Sequence, residues 1–167
     1  MKRLLAALLA LILLGLNPAS AHQPEFLRDT DTTPAKGPLL VDGTVSFAVQ
    51  ASFTKAGQKK AFRAAFKDGD KLAVQYLIID QAPSNRLKNN KLPQVSITAP
   101  DGKKTVMKIS ERTLFYEKYT GTNYFYLSRI ETPAKEGIYS FTITARAKSA
   151  VTIAVGEKEI PGDVIRN

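Results

Sequence analysis

From Thr44 onward the chain alternates. Val45, Phe47, Val49 and Ala51 are separated by Ser46, Ala48 and Gln50, the period of two that sends one face of a strand into a core and leaves the other outside. Ala61 to Lys67 forms a second run, and Lys71 to Ile79 a third, apolar almost throughout, as expected of a central strand covered on both faces. Asp68-Gly69-Asp70 between them has the turn chemistry of a hairpin. Asp80 to Lys91, with Pro83, three asparagines and several cations, predicts an exposed loop. Alternation resumes from Leu92 to Ala99, breaks at Pro100-Asp101-Gly102 and continues from Thr105 to Ile109. Two aromatic runs follow, Thr113 to Tyr119 and Tyr124 to Ile130, then Tyr139, Phe141, Ile143 and Ala145, and finally Val151, Ile153 and Val155. Some eight or nine strands at this spacing, with no comparable helical pattern, predict an all-β fold: an antiparallel two-sheet β-sandwich of jelly-roll or Ig-like type.

The segments flanking this domain, residues 44–157, have a different texture. Lys2 and Arg3 precede the apolar run Leu4 to Leu16, followed by Asn17-Pro18 and Ala19-Ser20-Ala21. This is the pattern of a signal peptide ending at residue 21, too short for the roughly 20 apolar residues of a membrane span. Residues 22–43, aperiodic and rich in Pro, Thr and Asp, read as an extended arm, and residues 158–167 as a tail. The expected location is periplasmic or secreted. With no cysteine the domain would be held by packing alone, and a chain of this length buries about two-thirds of its unfolded surface.

The order Phe62-x-x-x-Phe66, Asp68-Gly69-Asp70-Lys71-Leu72, Val95 to Gly102, Glu136 to Thr144 and Val151 to Val155 resembles the bacterial pre-peptidase C-terminal-type domains. The resemblance spans roughly residues 44 to 156. It implies a secreted, non-catalytic β-sandwich with an accessory or binding role.

Charge and candidate chemistry narrow the function. The formal net charge is +9, and loss of Lys2 and Arg3 with the signal peptide lowers it to +7, which favours anionic surfaces; after export these are envelope or extracellular ones rather than nucleic acid. Part of the excess sits in the loop residues Arg86, Lys88 and Lys91, a guanidinium fork and two point charges suited to an anionic group. If Phe115, Phe125 and Leu127 face the core, alternation puts Tyr116, Tyr124 and Tyr126 on the other face, as a platform for a sugar ring or a protein. Cleavage after Ala21 would make His22, the chain's one histidine, its first residue, where amine and imidazole could bind Cu(II). The Asp-Gly pairs at Asp42, Asp68 and Asp101 lie in separate turns and lack the spacing of a calcium loop.

Cysteine catalysis and multi-histidine metal centres are excluded. The expected function is an exported, non-enzymatic binding protein that meets a cell-envelope or extracellular protein or glycan through the basic loop and the aromatic hairpin. The alternatives are a periplasmic copper-binding protein using His22 and a small enzyme without His or Cys chemistry; for a carboxylate pair of the glycosidase kind no spacing singles out two residues.

Overall fold

The computed structural model describes residues 22–166, so the segment read as a signal peptide lies outside the described residues. Twelve strands form two six-stranded sheets packed as a β-sandwich. In chain order they are β1 (Gln23–Phe26), β2 (Leu39–Leu40), β3 (Phe47–Phe53), β4 (Lys59–Phe66), β5 (Lys71–Ile79), β6 (Gln94–Thr98), β7 (Lys104–Val106), β8 (Thr113–Glu117), β9 (Thr122–Pro133), β10 (Gly137–Thr144), β11 (Ser149–Val155) and β12 (Val164–Ile165). The first sheet has the order β1-β3-β11-β5-β9-β8 and the second β12-β2-β4-β10-β6-β7. Both are mixed, because β1 runs parallel to β3 and β2 parallel to β4. The strands beyond the eight or nine expected, β1, β2 and β12, are short pieces at or next to a sheet edge, too brief to show a period. Among the described residues no helix is long and apolar enough to cross a membrane.

Alternation is obeyed where it was clearest. In β3, Phe47, Val49, Ala51 and Phe53 are buried, and in β10, Tyr139, Phe141 and Ile143. Phe62 and Phe141 are direct cross-strand partners and stack with ring centroids 4.4 Å apart, while Phe66 meets Tyr139 edge-on. Such pairs add to the burial of their area. Tyr76, fully buried from the facing sheet, donates its hydroxyl to the Pro93 carbonyl at 2.8 Å. Burial pushes that phenol far above its ordinary pKa.

The turn at Asp68-Gly69-Asp70 corrects the expected hairpin. Gly69 has φ of +78° and Asp70 accepts from the Lys67 N–H, as the residue types require. Its two strands nevertheless go to different sheets, β4 to the second and β5 to the first. Gly and Asp make a tight reversal possible but leave open whether the strands leaving it pair or face each other across the core. Phe62, Ala64 and Phe66 on one side and Leu72, Val74 and Tyr76 on the other belong to one core cluster. Within-sheet hairpins join β6 to β7 and β8 to β9.

Residues 22–43, expected as an arm, are stitched into both sheets through β1 and β2. Buried Lys60 donates to the Leu27 carbonyl and pairs with Asp29, both at 2.9 Å. Gly37 packs so tightly against β4 that a Cβ would lie 1.9 Å from the Ala61 carbonyl oxygen. The tail is tied to the same region: the Gln23 amide exchanges two hydrogen bonds with the Gly162 backbone, and Arg166 reaches Glu25, Asp31 and the Phe26 carbonyl.

Phe141→Ala should cost about 3–5 kcal/mol, because the stacked pair leaves a cavity that cannot collapse. Tyr76→Phe should cost about 1–3 kcal/mol by stranding the Pro93 carbonyl. Urea unfolding of the two variants measures both.

Candidate functional site

The outer face of the first sheet carries a depression of about 420 Å³. Its shape follows from side-chain size. The central strands present small or flat residues as a floor: Ala48 and Gln50 from β3, Thr152 and Ala154 from β11, Gln75 and Leu77 from β5. One wall is the β8–β9 hairpin with Phe115, Glu117, Tyr119, Thr120, Tyr124 and Tyr126. The opposite flank is formed by His22, Pro24 and Glu159. The volume falls within the range of about 300–1,000 Å³ typical of small-molecule sites.

A β-bulge builds the aromatic wall. Tyr76 pairs with Ser128 and Leu77 with Tyr126, so Leu127 is one residue too many on β9 and is wholly buried in the core. The insertion reverses the parity of the strand. Ile130 lies on the core side, and strict alternation from it would turn Tyr126 and Tyr124 inward as well. With the bulge, Phe125 packs on the core and both tyrosines face out.

The register of β8 then sorts the remaining aromatics. Phe115 pairs with Tyr124 and shares its face, its ring 5.0 Å from that of Tyr126. Tyr116 pairs with Asn123 on the other face and is 56% exposed. Tyr116 is therefore not part of the platform, and Phe115, expected in the core, takes its place. The Tyr126 ring is braced from a further side by the Arg129 guanidinium, 4.5 Å from its centroid. Arg129 is itself held by two hydrogen bonds to Glu111, whose carboxyl it draws down to about 2. Burial raises the phenols of Tyr124 and Tyr126, so both keep their protons and can donate.

Glu117 shapes the rim. Its carboxylate accepts from the Tyr119 N–H at 2.8 Å, the Thr120 N–H at 2.7 Å and the Thr120 hydroxyl at 2.6 Å, closing the turn that holds Tyr119 above the pocket. Gly121, with φ of +67°, completes that turn. Burial acts to raise the Glu117 carboxyl, but the hydrogen bonds from Thr120 and Tyr119 outweigh it and hold the group below its ordinary value. Glu159 makes no hydrogen bond or ion pair among the described residues.

His22 sits in the pocket, half-buried beside β1, and not on a free arm. Burial pushes its imidazole below 6.5, against the fields of Glu159 and Glu117, which act to raise it. For Cu(II) at His22 these are the two carboxylates that share its pocket. Among the described residues no group of three His, Asp or Glu side chains could hold a metal ion.

Arg86, Lys88 and Lys91 are brought together elsewhere. They are exposed on the crossover from β5 to β6, which forms two short 3-10 turns, Ser84–Arg86 and Asn89–Lys91. This crossover is pinned by Ser84 on the Ala150 backbone and by Arg112 on the carbonyls of Asn85 and Leu87. None of the three cations lines the pocket. The sequence did not single out Phe115, Glu117, Tyr119, Glu159, Gln50 or Gln75. Cross-strand register from Tyr124 would have found Phe115, whereas Glu159 reaches the site from a segment without any period.

No family model matches the chain, and no curated protein matches it in sequence. Among solved structures it is similar to a family GH115 4-O-methyl-alpha-glucuronidase, BtGH115A, described as specific for decorated arabinogalactans, at 12% identity and a TM-score of 0.37. That alignment covers 80% of this chain and only 17% of the glucuronidase. It is similar to the carbohydrate-binding module CBM6cm-2 of Cellvibrio mixtus lichenase 5A at 10% identity and a TM-score of 0.35, over 74% of this chain and 98% of the module. It is also similar to CorA, the surface-associated copper-binding protein of Methylomicrobium album BG8, at 11% identity and a TM-score of 0.28, over 88% of this chain and 99% of that one. Likeness at these values carries nothing about ligand or activity.

A histidine favoured in its neutral form by folding stabilises fully above its unfolded pKa of about 6.5. The contribution declines as pH falls below that value, because the unfolded chain takes up the proton first. His22→Gln should therefore flatten the loss of stability between about pH 7 and pH 5, measured by urea unfolding, and the His22 ring protons should titrate with a midpoint below 6.5 by NMR.

Proposed function

We propose that the protein is a non-catalytic binding protein of the cell envelope or extracellular space that holds a saccharide in the pocket on its first sheet. The observation that carries this reading is the pairing of an aromatic wall, Phe115, Tyr124 and Tyr126, with a floor of amides and hydroxyls, Gln50, Gln75 and Thr152. A sugar ring has an apolar face of C–H bonds and an equator of hydroxyls, so it calls for both kinds of surface at right angles. Bracing of Tyr126 between Phe115 and Arg129 fixes the platform before a ligand arrives, which lowers the cost of binding.

The state of Glu117 supports binding over hydrolysis. Both its oxygens are engaged by its own turn, which leaves Glu159 without a free partner for the two-carboxylate chemistry of glycoside cleavage. Arg86, Lys88 and Lys91 add a second, long-range attraction to anionic envelope surfaces from outside the pocket.

Tyr124→Ala with Tyr126→Ala should weaken binding to saccharides identified on a glycan array by more than tenfold in calorimetry. Arg86, Lys88 and Lys91 changed together to Ala should leave that binding and the melting temperature nearly unchanged. Undiminished binding by the tyrosine double variant would remove the pocket, and release of reducing ends from a bound glycan would show an enzyme instead.

A further inference from the structure

The pocket's charge is opposite to that of the molecule. The chain carries 24 basic and 15 acidic side chains, yet the residues lining the depression include no Lys or Arg and two carboxylates, Glu117 and Glu159. The one other titratable group of basic type is His22, whose protonation burial disfavours. Arg129, which packs on Tyr126 from outside the lining, is paired with Glu111, and Lys118 and Lys158, the chain neighbours of the two carboxylates, are exposed and do not line the depression. The lining therefore has a net negative charge within a positive protein. The two carboxylates come from different elements, Glu117 at the end of β8 and Glu159 from the stretch before β12, and both act on His22.

We infer that the saccharide held here carries a protonated amine, as an amino sugar with a free amino group does, seated over the floor with Glu159 as its counter-ion. The inference rests on the saccharide reading and specifies its class. Each neighbouring group suits such a cation. Among the described residues Glu159 has no hydrogen bond or ion pair to give up. Glu117 keeps its negative charge while holding the turn. The faces of Phe115, Tyr124 and Tyr126 attract a cation through their quadrupoles as well as stacking on the ring that bears it. An anionic sugar would meet the two carboxylates without one cation in the lining to offset them.

The test compares two ligands that differ in little except this charge, a β-1,4-linked tetramer of glucosamine and the same tetramer fully N-acetylated. Binding to the protein is measured by calorimetry at about pH 6, where the free amines carry protons. At low ionic strength the glucosamine tetramer should bind about fivefold or more tighter, and the gap should narrow as salt is raised to about 0.5 M. Glu159→Gln should remove most of the gap and leave the acetylated tetramer's affinity as it was, which separates charge from the bulk of the acetyl group. Equal affinities, or a preference for the acetylated tetramer, would overturn the inference while sparing the saccharide reading. A preference that survives both Glu159→Gln and the Tyr124→Ala, Tyr126→Ala double variant would place the attraction elsewhere and also overturn it. Binding of neither tetramer would overturn the inference, and the saccharide reading would then stand or fall on the glycan array.

Discussion

One extra residue in β9 decides which chemistry this sandwich shows to solvent. Leu127 has no partner on β5, and its insertion moves every side chain on the hairpin side of it to the opposite face. Phe125 and Leu127 thereby join the core, and Tyr124 and Tyr126 stand outside it. The bulge is stabilised by what it buries: Leu127 is fully enclosed, and Tyr76, beside the shift, is anchored to the Pro93 carbonyl. A perfectly regular β9 would have put two phenols under the second sheet and a phenylalanine in water.

The strands were legible in the chain wherever one face is wet and the other dry. β3 and β10 could be read from their spacing because each has a single buried face over seven or eight residues, and β11 departs from that only at Ala154, which the pocket floor also covers. β5 gave an apolar run because its outer residue Leu77 is also covered, being part of the pocket floor. What the chain did not disclose was pairing. Asp68-Gly69-Asp70 is the same text whether the chain turns back into its own sheet or crosses the core. β1 and β2 are short strands whose place is fixed by Gln23, Lys60 and Arg166, long-range contacts that no local pattern encodes.

The site was half legible for the same reason. Tyr124, Tyr126 and His22 were singled out as residues, and the fold does bring them to one pocket. Tyr116 was lost to the other face by the register of β8, and the basic loop proved to be a separate surface. Glu117 and Glu159 could not be told from the thirteen other acids, since their significance is purely positional. Net charge, the most visible property of the composition, pointed to anions, and the pocket has the reverse sign.

The strap between the two chain ends bears on how the molecule is handled and displayed. Gln23 holds Gly162 beside the pocket that His22 and Glu159 line, whereas Arg166, on Glu25 and Asp31, lines a separate depression with Arg28 and Thr30. A tether that continues from Arg166 starts away from the pocket, and the β6–β7 hairpin, at the opposite edge of the second sheet, offers a second attachment point that keeps its mouth open. Orientation on a surface, and the room left for a long polymer to pass, would thus be set by which end of the sandwich is tethered.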